Sequence, residues 1–507
     1  MKNSLIASTL LLGLFFQWGC RKSDFSGSPN GNLPPKTFTV VDTIFRSGDD
    51  RLTTTVAIQW WGDDPDGYVT GYEFTFDEII SSATNWVFTT RLDSIFLLAV
   101  PAGSDTFDFS FSVRAVDNLG ERDPNPARVK YPVKNSPPIV SFVYAPNGGN
   151  PLAGGNPVYS FPAVKYEWNG NDPDGFSTLE GYELYLNDTL GTAYSLPAVF
   201  NSVILKAADL SGSTTEAIVY AGNNNNPLSL RMQGMLLNDT NRLYIRAVDQ
   251  SGARSLFEVA NPIYIKKPAS RFLLLNAYSN DPNPELNANT IDAFYEAQFA
   301  TIGISAYEKL QIFQRANNRF VNLSPDNRTQ SMVFEFFDEI VWAGPDFEYS
   351  IVFTRNTMGG FLNNGGKLLL STAVTDAAPV TSNFFELSPI DSLLPVPEGT
   401  TSLLWDTSTF VPRQAGYPTL RHTGFASIVR PMKFTPGTTV LYKANILSRD
   451  QSFNITPYTG PSDIMGLRTN NINGSKFVIS TVEIHRMRSN NNVDQLLSRI
   501  LIDEFGL

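Results

Sequence analysis

The sequence predicts a multidomain chain: two all-β sandwiches followed by an α/β open-sheet domain. Three observations predict it. One string occurs twice, as "WWGDDPDGYVTGYE" from Trp60 to Glu73 and "WNGNDPDGFSTLEGYE" from Trp168 to Glu183. Around each copy, apolar and polar residues alternate with a period of two, the pattern of half-buried strands. From residue 270 onward the apolar runs become continuous and helical patterns lie between them, as in a sheet buried on both faces.

The amino end comes first. Lys2 supplies a positive start, and Leu5 to Phe16 is an apolar stretch too short for a membrane span. Gln17, Trp18, Gly19 and Cys20 follow. Residues 1–19 resemble a bacterial lipoprotein signal, and the resemblance implies lipidation of Cys20 as the new amino terminus. Gln17 departs from the aliphatic residue usual three before the cysteine, and Trp18 is bulky for its place. An ordinary secretory signal with an incidental cysteine is the alternative. Residues 20–36 are rich in Gly, Ser and Pro and are expected to form a flexible tether. Two or three acyl chains would anchor the protein stably. No Asp directly follows Cys20, which by the same resemblance leans toward the outer membrane. The expected location is therefore exported and lipid-anchored there, on the periplasmic or the cell-surface face.

Composition narrows the chemistry. Cys20 is the single cysteine of the 507 residues, so no disulfide, thiolate zinc site or cysteine nucleophile is available beyond it. The two histidines, His422 and His485, leave little for a histidine-rich metal centre. A net charge of −11 without a basic run argues against nucleic acid as a partner. The length allows about three domains. Pro-containing breaks, "NSPP" at Asn135–Pro138 and "KKPAS" at Lys266–Ser270, divide the chain into 37–135, 138–267 and 270–507.

The repeat fills the first two regions. Trp60, Gly62, Asp64, Pro65, Asp66 and Gly67 match Trp168, Gly170, Asp172, Pro173, Asp174 and Gly175. Gly71-Tyr72-Glu73 matches Gly181-Tyr182-Glu183, and "FSVRAVDNLG" at Phe111–Gly120 matches "LYIRAVDQSG" at Leu243–Gly252. Agreement in this order means duplicated domains. The second copy is longer, mostly around "YAGNNNNPLSLRMQG". Val56, Ile58 and Trp60 alternate with Ala57 and Gln59; Phe111, Val113 and Ala115 alternate with Ser112 and Arg114. A Trp on an early strand, Gly-Tyr on the next and a "VRAVD" strand near the end resemble the fibronectin type III pattern, over roughly Phe38–Lys134 and Ile139–Lys267. Related immunoglobulin-like sandwiches fit too. Such domains mostly bind partners or space other domains.

The repeated Asp-Pro-Asp-Gly has the composition of a type I turn. Pro presets φ, the first Asp can accept the backbone N–H two residues on, and Gly tolerates positive φ. The functional rival is calcium, with Asp64 and Asp66, or Asp172 and Asp174, as ligands. Calcium wants six to eight oxygens, and the spacing of an EF-hand is missing. No other cofactor is expected.

In the third region "RFLLLNA", "DEIVWAG", "KLLLST" and "KFVIST" read as buried strands. Ile291, Phe294, Tyr295 and Phe299 make one helical stripe. Val493, Leu496, Leu497, Ile500, Leu501 and Phe505 make another, with Asn491 or Asn492 placed to cap it. "FDEIVWAGPD", "FLNNGGKLLLST" and "KFVISTVEIHRM" resemble the class I glutamine amidotransferase-like fold, including its non-catalytic relatives. The likeness covers roughly Arg271–Leu507, with an extra β-rich stretch near Thr400–Asn470. Catalytic members of that family place a cysteine after the central strand; here Ser371 or Thr372 stands near that place.

Open sheets bind ligands beyond the carboxyl ends of their strands. That rule gathers Asn276, Asp346, Ser371, Thr372 and Glu483 as ligand-binding candidates, with Ser371 and His485 as the catalytic candidates. No Gly-x-Ser-x-Gly elbow accompanies Ser371. Two function classes follow. One is a lipid-anchored binding or structural protein with a non-catalytic α/β domain that takes a protein or glycan partner. The other is an anchored hydrolase of glycans or peptides.

Overall fold

The computed structural model describes residues 31–40, 55–101, 103–144, 159–279, 281–311, 313–316, 319–322, 327–345, 357–374, 387–394, 398–406, 408–427, 429–487 and 492–507. The signal segment, Cys20 and Asp346 lie outside them. The chain folds as two compact units. Of the described residues, the first holds those through Ile139 together with Asn171–Glu180 and Ala247–Ser255 of the second repeat, and the second holds the rest.

In the first unit, strands Lys36–Thr39, Thr55–Asp63 and Asp93–Leu97 form a three-stranded sheet. Strands Val87–Thr89, Val69–Thr75, Thr106–Asp117 and Ala127–Lys134 form a four-stranded one in that order. Neighbouring strands run antiparallel. The inward residues of both sheets share one core of Val56, Ile58, Trp60, Tyr72, Phe111 and Val113. Three strands facing four, with alternating inner faces, is a β-sandwich. Trp60 is 2% exposed, and the rings of Tyr72, Phe74, Phe96 and Phe111 surround it at 5.6–6.5 Å.

The repeated letters acquire physical reasons here. The Gly62 N–H donates to the Tyr72 hydroxyl at 2.9 Å, so the tyrosine lies over the glycine. Glu73 stands opposite Arg114 across the strand pair, 2.7 Å away, and Arg122 reaches the same carboxylate at 3.0 Å. Burial works to raise the Glu73 carboxyl, but the two guanidiniums outweigh it and hold it below its ordinary value.

The second unit carries the rest of the second repeat and the α/β region. Arg231–Leu236, Thr214–Ala221, Ser202–Ala207, Ala163–Asn171 and Ile139–Tyr144 form a five-stranded sheet; Tyr194–Pro197, Leu179–Leu186, Leu243–Asp249 and Glu258–Val259 form a four-stranded one. The same motif geometry recurs. Trp168 is fully buried with the Tyr182 ring 5.3 Å away, and Arg246 pairs with Glu183 at 2.5 Å. The added length of this copy is regular structure: Thr214–Ala221 and Arg231–Leu236 are an antiparallel pair with a bulge.

Among the described residues, nine strands make the largest sheet. In spatial order they are Glu308–Gln311, Phe272–Asn276, Glu339–Gly344, Lys367–Thr372, Lys476–Ser480, Asp463–Thr469, Thr439–Ala444, Thr409–Pro412 and Leu420–Arg421. The first five are parallel. Numbered along the chain, they stand 2-1-3-4-5, a doubly wound order. The last four are antiparallel and come from the expected β-rich stretch.

Alternate residues of the parallel strands enter opposite layers. Leu274, Val341, Leu369 and Val478 pack toward Ile291, Tyr295, Leu497 and Leu501 of helices Ala288–Thr301 and Val493–Ser498 with its continuation to Glu504. Leu275, Trp342, Leu370 and Ile479 pack toward Met332, Phe334, Phe361 and Leu362. Phe161, Ala163 and Ile204 of the second repeat belong to that second layer, with the Phe161 ring edge-on to Phe337 at 5.1 Å.

One expected detail differs. Asn492 precedes the last helix but makes no side-chain cap; its Nδ2 donates to the Thr419 carbonyl at 3.1 Å instead. From Arg499 the helix widens to a π-helix, with the Phe505 N–H bonding the Ile500 carbonyl.

Candidate functional site

Two places assemble the polar residues singled out by the sequence. The first is the Asp-Pro-Asp-Gly loop. In the second repeat the turn forms as its composition dictates: the Gly175 N–H donates to the Asp172 carbonyl, and the Asp174 N–H to Asp172 Oδ1, both at 2.9 Å. Gly175 has φ +116°, a conformation that only glycine adopts without strain. In the first repeat the Asp66 N–H donates to Asp64 Oδ1 at 3.4 Å. Gly67 needs no positive φ, but a Cβ there would lie 2.2 Å from Asn118 Oδ1.

The second aspartate of each loop has a further task. Asp174 Oδ2 accepts the Ser136 N–H at 2.6 Å; Asp66 accepts the Leu33 N–H at 3.2 Å. The aspartate of each "RAVD" strand does the complementary task. Asp249 Oδ2 accepts Asn135 Nδ2 at 2.6 Å, and Asp117 Oδ2 accepts Asn32 Nδ2 at 2.5 Å. The strings "NLPP" at 32–35 and "NSPP" at 135–138 are therefore a repeat in their own right, a latch that fastens the entering chain to its sandwich. The sequence reading missed it. Extending the repeat comparison upstream of Trp60 and Trp168 would have found it. Asn32 and Leu33, within the expected tether, are thus bonded to the first sandwich.

The electrostatics of the two aspartates oppose each other. Burial pushes the Asp117 carboxyl up, and the bonds from Asn32, Leu119, Glu121 and Gly120 outweigh it, so it is held below its ordinary value. Burial pushes the Asp172 carboxyl up, and the charges of Asp174 and Asp249 add to it against the Asp174 N–H and Thr178 hydroxyl. Asp64 is raised by the same first cause, with Asp66 and Asp117 contributing.

The second place is the carboxyl end of the parallel strands. Asn276 is buried, donates to the Ala288 carbonyl at 2.9 Å and to Asp292 at 2.8 Å, and accepts the Tyr278 N–H at 2.8 Å. Ser371 is 1% exposed, and its Oγ accepts the Ile484 N–H at 2.9 Å. Thr372 is fully buried beside it. Glu483 is buried 3.4 Å from Arg486, which also pairs with Glu285 at 3.2 Å. Burial raises the Glu483 carboxyl while Arg486 opposes it. His485 is 2% exposed; its Nε2 lies 3.2 Å from the Glu285 carbonyl oxygen, and its ring stands edge-on to Tyr278 and Phe294.

The structure therefore gathers Asn276, Ser371, Thr372, Glu483 and His485 at one end of the sheet. The contacts of Asn276, Ser371 and Glu483 described above are to the protein's own backbone and side chains, and all five residues are buried. Trp405 and Phe425, 43% and 45% exposed with ring centroids 5.2 Å apart, lie near this end through the Arg486–Phe425 carbonyl bond. The sequence reading did not single them out. Among the described residues, no three His, Cys, Asp or Glu side chains form a ready metal cage, and no helix is long and apolar enough to cross a membrane.

No protein-family model matches the chain, and no curated protein matches it. Among solved structures it is similar to the fibronectin(III)-like modules of Clostridium thermocellum CbhA, at 12% identity, covering 46% of this chain and 95% of that one, with a TM-score of 0.16. It is also similar to a two-domain fibronectin type III segment of chicken tenascin, at 12% identity, covering 43% of this chain and 95% of that one, with a TM-score of 0.21. These neighbours are fibronectin type III-like domains matched to about half of the chain. At such scores they add nothing to the strand pairings, on which the sandwich assignment rests.

Proposed function

We propose that this protein is an exported, lipid-anchored binding and spacing protein, whose sandwiches hold a non-catalytic α/β region resembling the class I glutamine amidotransferase-like fold. The partner class is a protein or a glycan. The observation that carries the non-catalytic reading is the burial of Ser371, whose Oγ accepts the Ile484 N–H while His485 is turned to Glu285, Tyr278 and Phe294. A nucleophile needs a reachable oxygen and a base aimed at it. The doubly wound order of the parallel strands supports the fold resemblance. The short apolar leader before Gly19-Cys20 supports the anchor.

Two measurements test this. In a bacterial host the chain should incorporate labelled palmitate, and Cys20→Ala should abolish it; equal labelling of both would sink the anchor. The purified protein should hydrolyse esters, amides and glycosides no faster than Ser371→Ala/His485→Ala. Turnover lost in that double variant, with its circular dichroism unchanged, would instead establish the anchored hydrolase.

A further inference from the structure

The Asp-Pro-Asp-Gly loop of the second repeat holds more negative charge than its hydrogen bonds account for. Asp172 and Asp174 are 2% and 1% exposed, and Asp249 beside them is 1% exposed. Asp249 is fully engaged: Asn135 on one oxygen, and the Ser251 hydroxyl and Ala253 N–H on the other, at 2.6–2.8 Å. Asp172 and Asp174 each have one oxygen engaged, by the Asp174 N–H and the Ser136 N–H. Asp174 Oδ1 is buried with no hydrogen-bond partner, and Asp172 Oδ2 is buried with only the Thr178 hydroxyl near the carboxylate, whose proton goes to the Gly175 carbonyl. Two buried carboxylate oxygens without donors, two residues apart in the chain, are costly unless a positive charge reaches them. The first repeat lacks this feature in full, because Asp66 is exposed to water.

We propose that a calcium ion binds Asp172 Oδ2 and Asp174 Oδ1 and completes the latch that holds Asn135–Pro138 to the second sandwich. The donor chemistry selects the ion. Both free ligands are hard carboxylate oxygens, and neither Cys nor His stands among the latch residues, which disfavours zinc and copper. Calcium accepts carbonyl and water oxygens in irregular geometry, whereas magnesium demands a near-ideal octahedron. Two carboxylates, instead of the larger acidic set of a tight site, place the affinity in the range of extracellular modules, about 10⁻⁴–10⁻³ M. The absence of a three-carboxylate cage agrees with this, since Asp249 is already saturated by N–H and O–H donors.

The test uses the full mature chain at pH 7, with thermal unfolding followed by tryptophan fluorescence in EDTA and in 10 mM calcium or magnesium. Calcium should raise the Tm by about 2–5 °C, the order expected near tenfold saturation, and magnesium by much less. Asp172→Asn and Asp174→Asn should each abolish the shift, and Asp66→Asn should retain it. Terbium luminescence on the wild type, displaced by calcium at one site, gives a second reading if a variant folds poorly. An identical Tm in EDTA and calcium, a shift that survives in both variants, or terbium that calcium does not displace would each overturn the proposal. So would a wild type stabilised only by acid, which would mean that a proton neutralises Asp172.

Discussion

Trp60 and Trp168 are among the largest fully buried side chains in the molecule. Trp60→Ala and Trp168→Ala should each cost about 3–5 kcal/mol, measured by urea unfolding, because an emptied aromatic site relaxes only in part. These anchors were legible in the sequence, since a repeated Trp inside a period of two has one inward face to occupy. The Asp-Pro-Asp turn was legible for a similarly local reason. What Asp66, Asp174, Asp117 and Asp249 do with the entering chain was not, because it depends on partners far away in sequence. pH acts on four of the titratable residues. Burial, against the bond to the Gly424 carbonyl, lowers His422 to about 4. Its folded value lies below its unfolded one, so its contribution is complete above about pH 6.5 and is lost as pH falls through about 4. Asp117 is also lowered and acts in the same sense at more acid pH. Asp172 and Asp64 are raised, so they contribute below the ordinary carboxylate range and lose that contribution as pH rises through their folded values. The Tm should therefore fall between pH 6.5 and 4, and His422→Gln should flatten that fall. An unchanged slope in the variant would refute the assignment.

Among the elements, strand pairs fix which substitutions are tolerated. A Cβ at Gly170 would lie 2.2 Å from the Tyr182 hydroxyl, and one at Gly181 would lie 2.4 Å from the Leu196 carbonyl oxygen. Gly170→Ala should therefore cost about 1–3 kcal/mol by overpacking. Gly170→Ala with Tyr182→Phe should recover part of that loss, which a double-mutant cycle reads directly. The buried runs Phe272–Asn276, Glu339–Gly344, Lys367–Thr372 and Lys476–Ser480 were legible as strands because both of their faces meet apolar layers. The short strands between Thr400 and Thr469 were visible only as a β-rich stretch, since their pairing is set by the sheet edge they extend. The last helix was legible in its apolar stripe. Its π-helical end was not, because a one-residue change of hydrogen-bond partner leaves the stripe nearly unaltered. The strand-end candidates came from a rule about topology. The rule located the cluster; it did not foresee that Asn276 and Ser371 would be engaged by neighbouring backbone.

For the whole molecule, pattern breaks at Asn135–Pro138 and Lys266–Ser270 divide the sequence into three, while the packing defines two units. The second break is fastened: Lys266 pairs with Glu308, and the Ala269 N–H donates to the Glu308 carboxylate at 2.7 Å. Phe161 and Ile204 complete a layer built mainly from the α/β region. Arg328 donates to the Gly222 carbonyl at 2.8 Å. Calorimetry should accordingly resolve two unfolding transitions, with the bulk of the second sandwich melting together with the α/β region. Phe161→Ala should lower that shared transition as a whole; a separate, earlier melt of the second sandwich would contradict the shared layer. The latch carries a different consequence, for how such chains are assembled by duplication. Each sandwich brings its own Asn-x-Pro-Pro lead and the two aspartates that receive it, so the heritable module begins before the first strand. A third copy spliced in at that boundary would arrive with its own coupling, and neither neighbour would have to change to accept it.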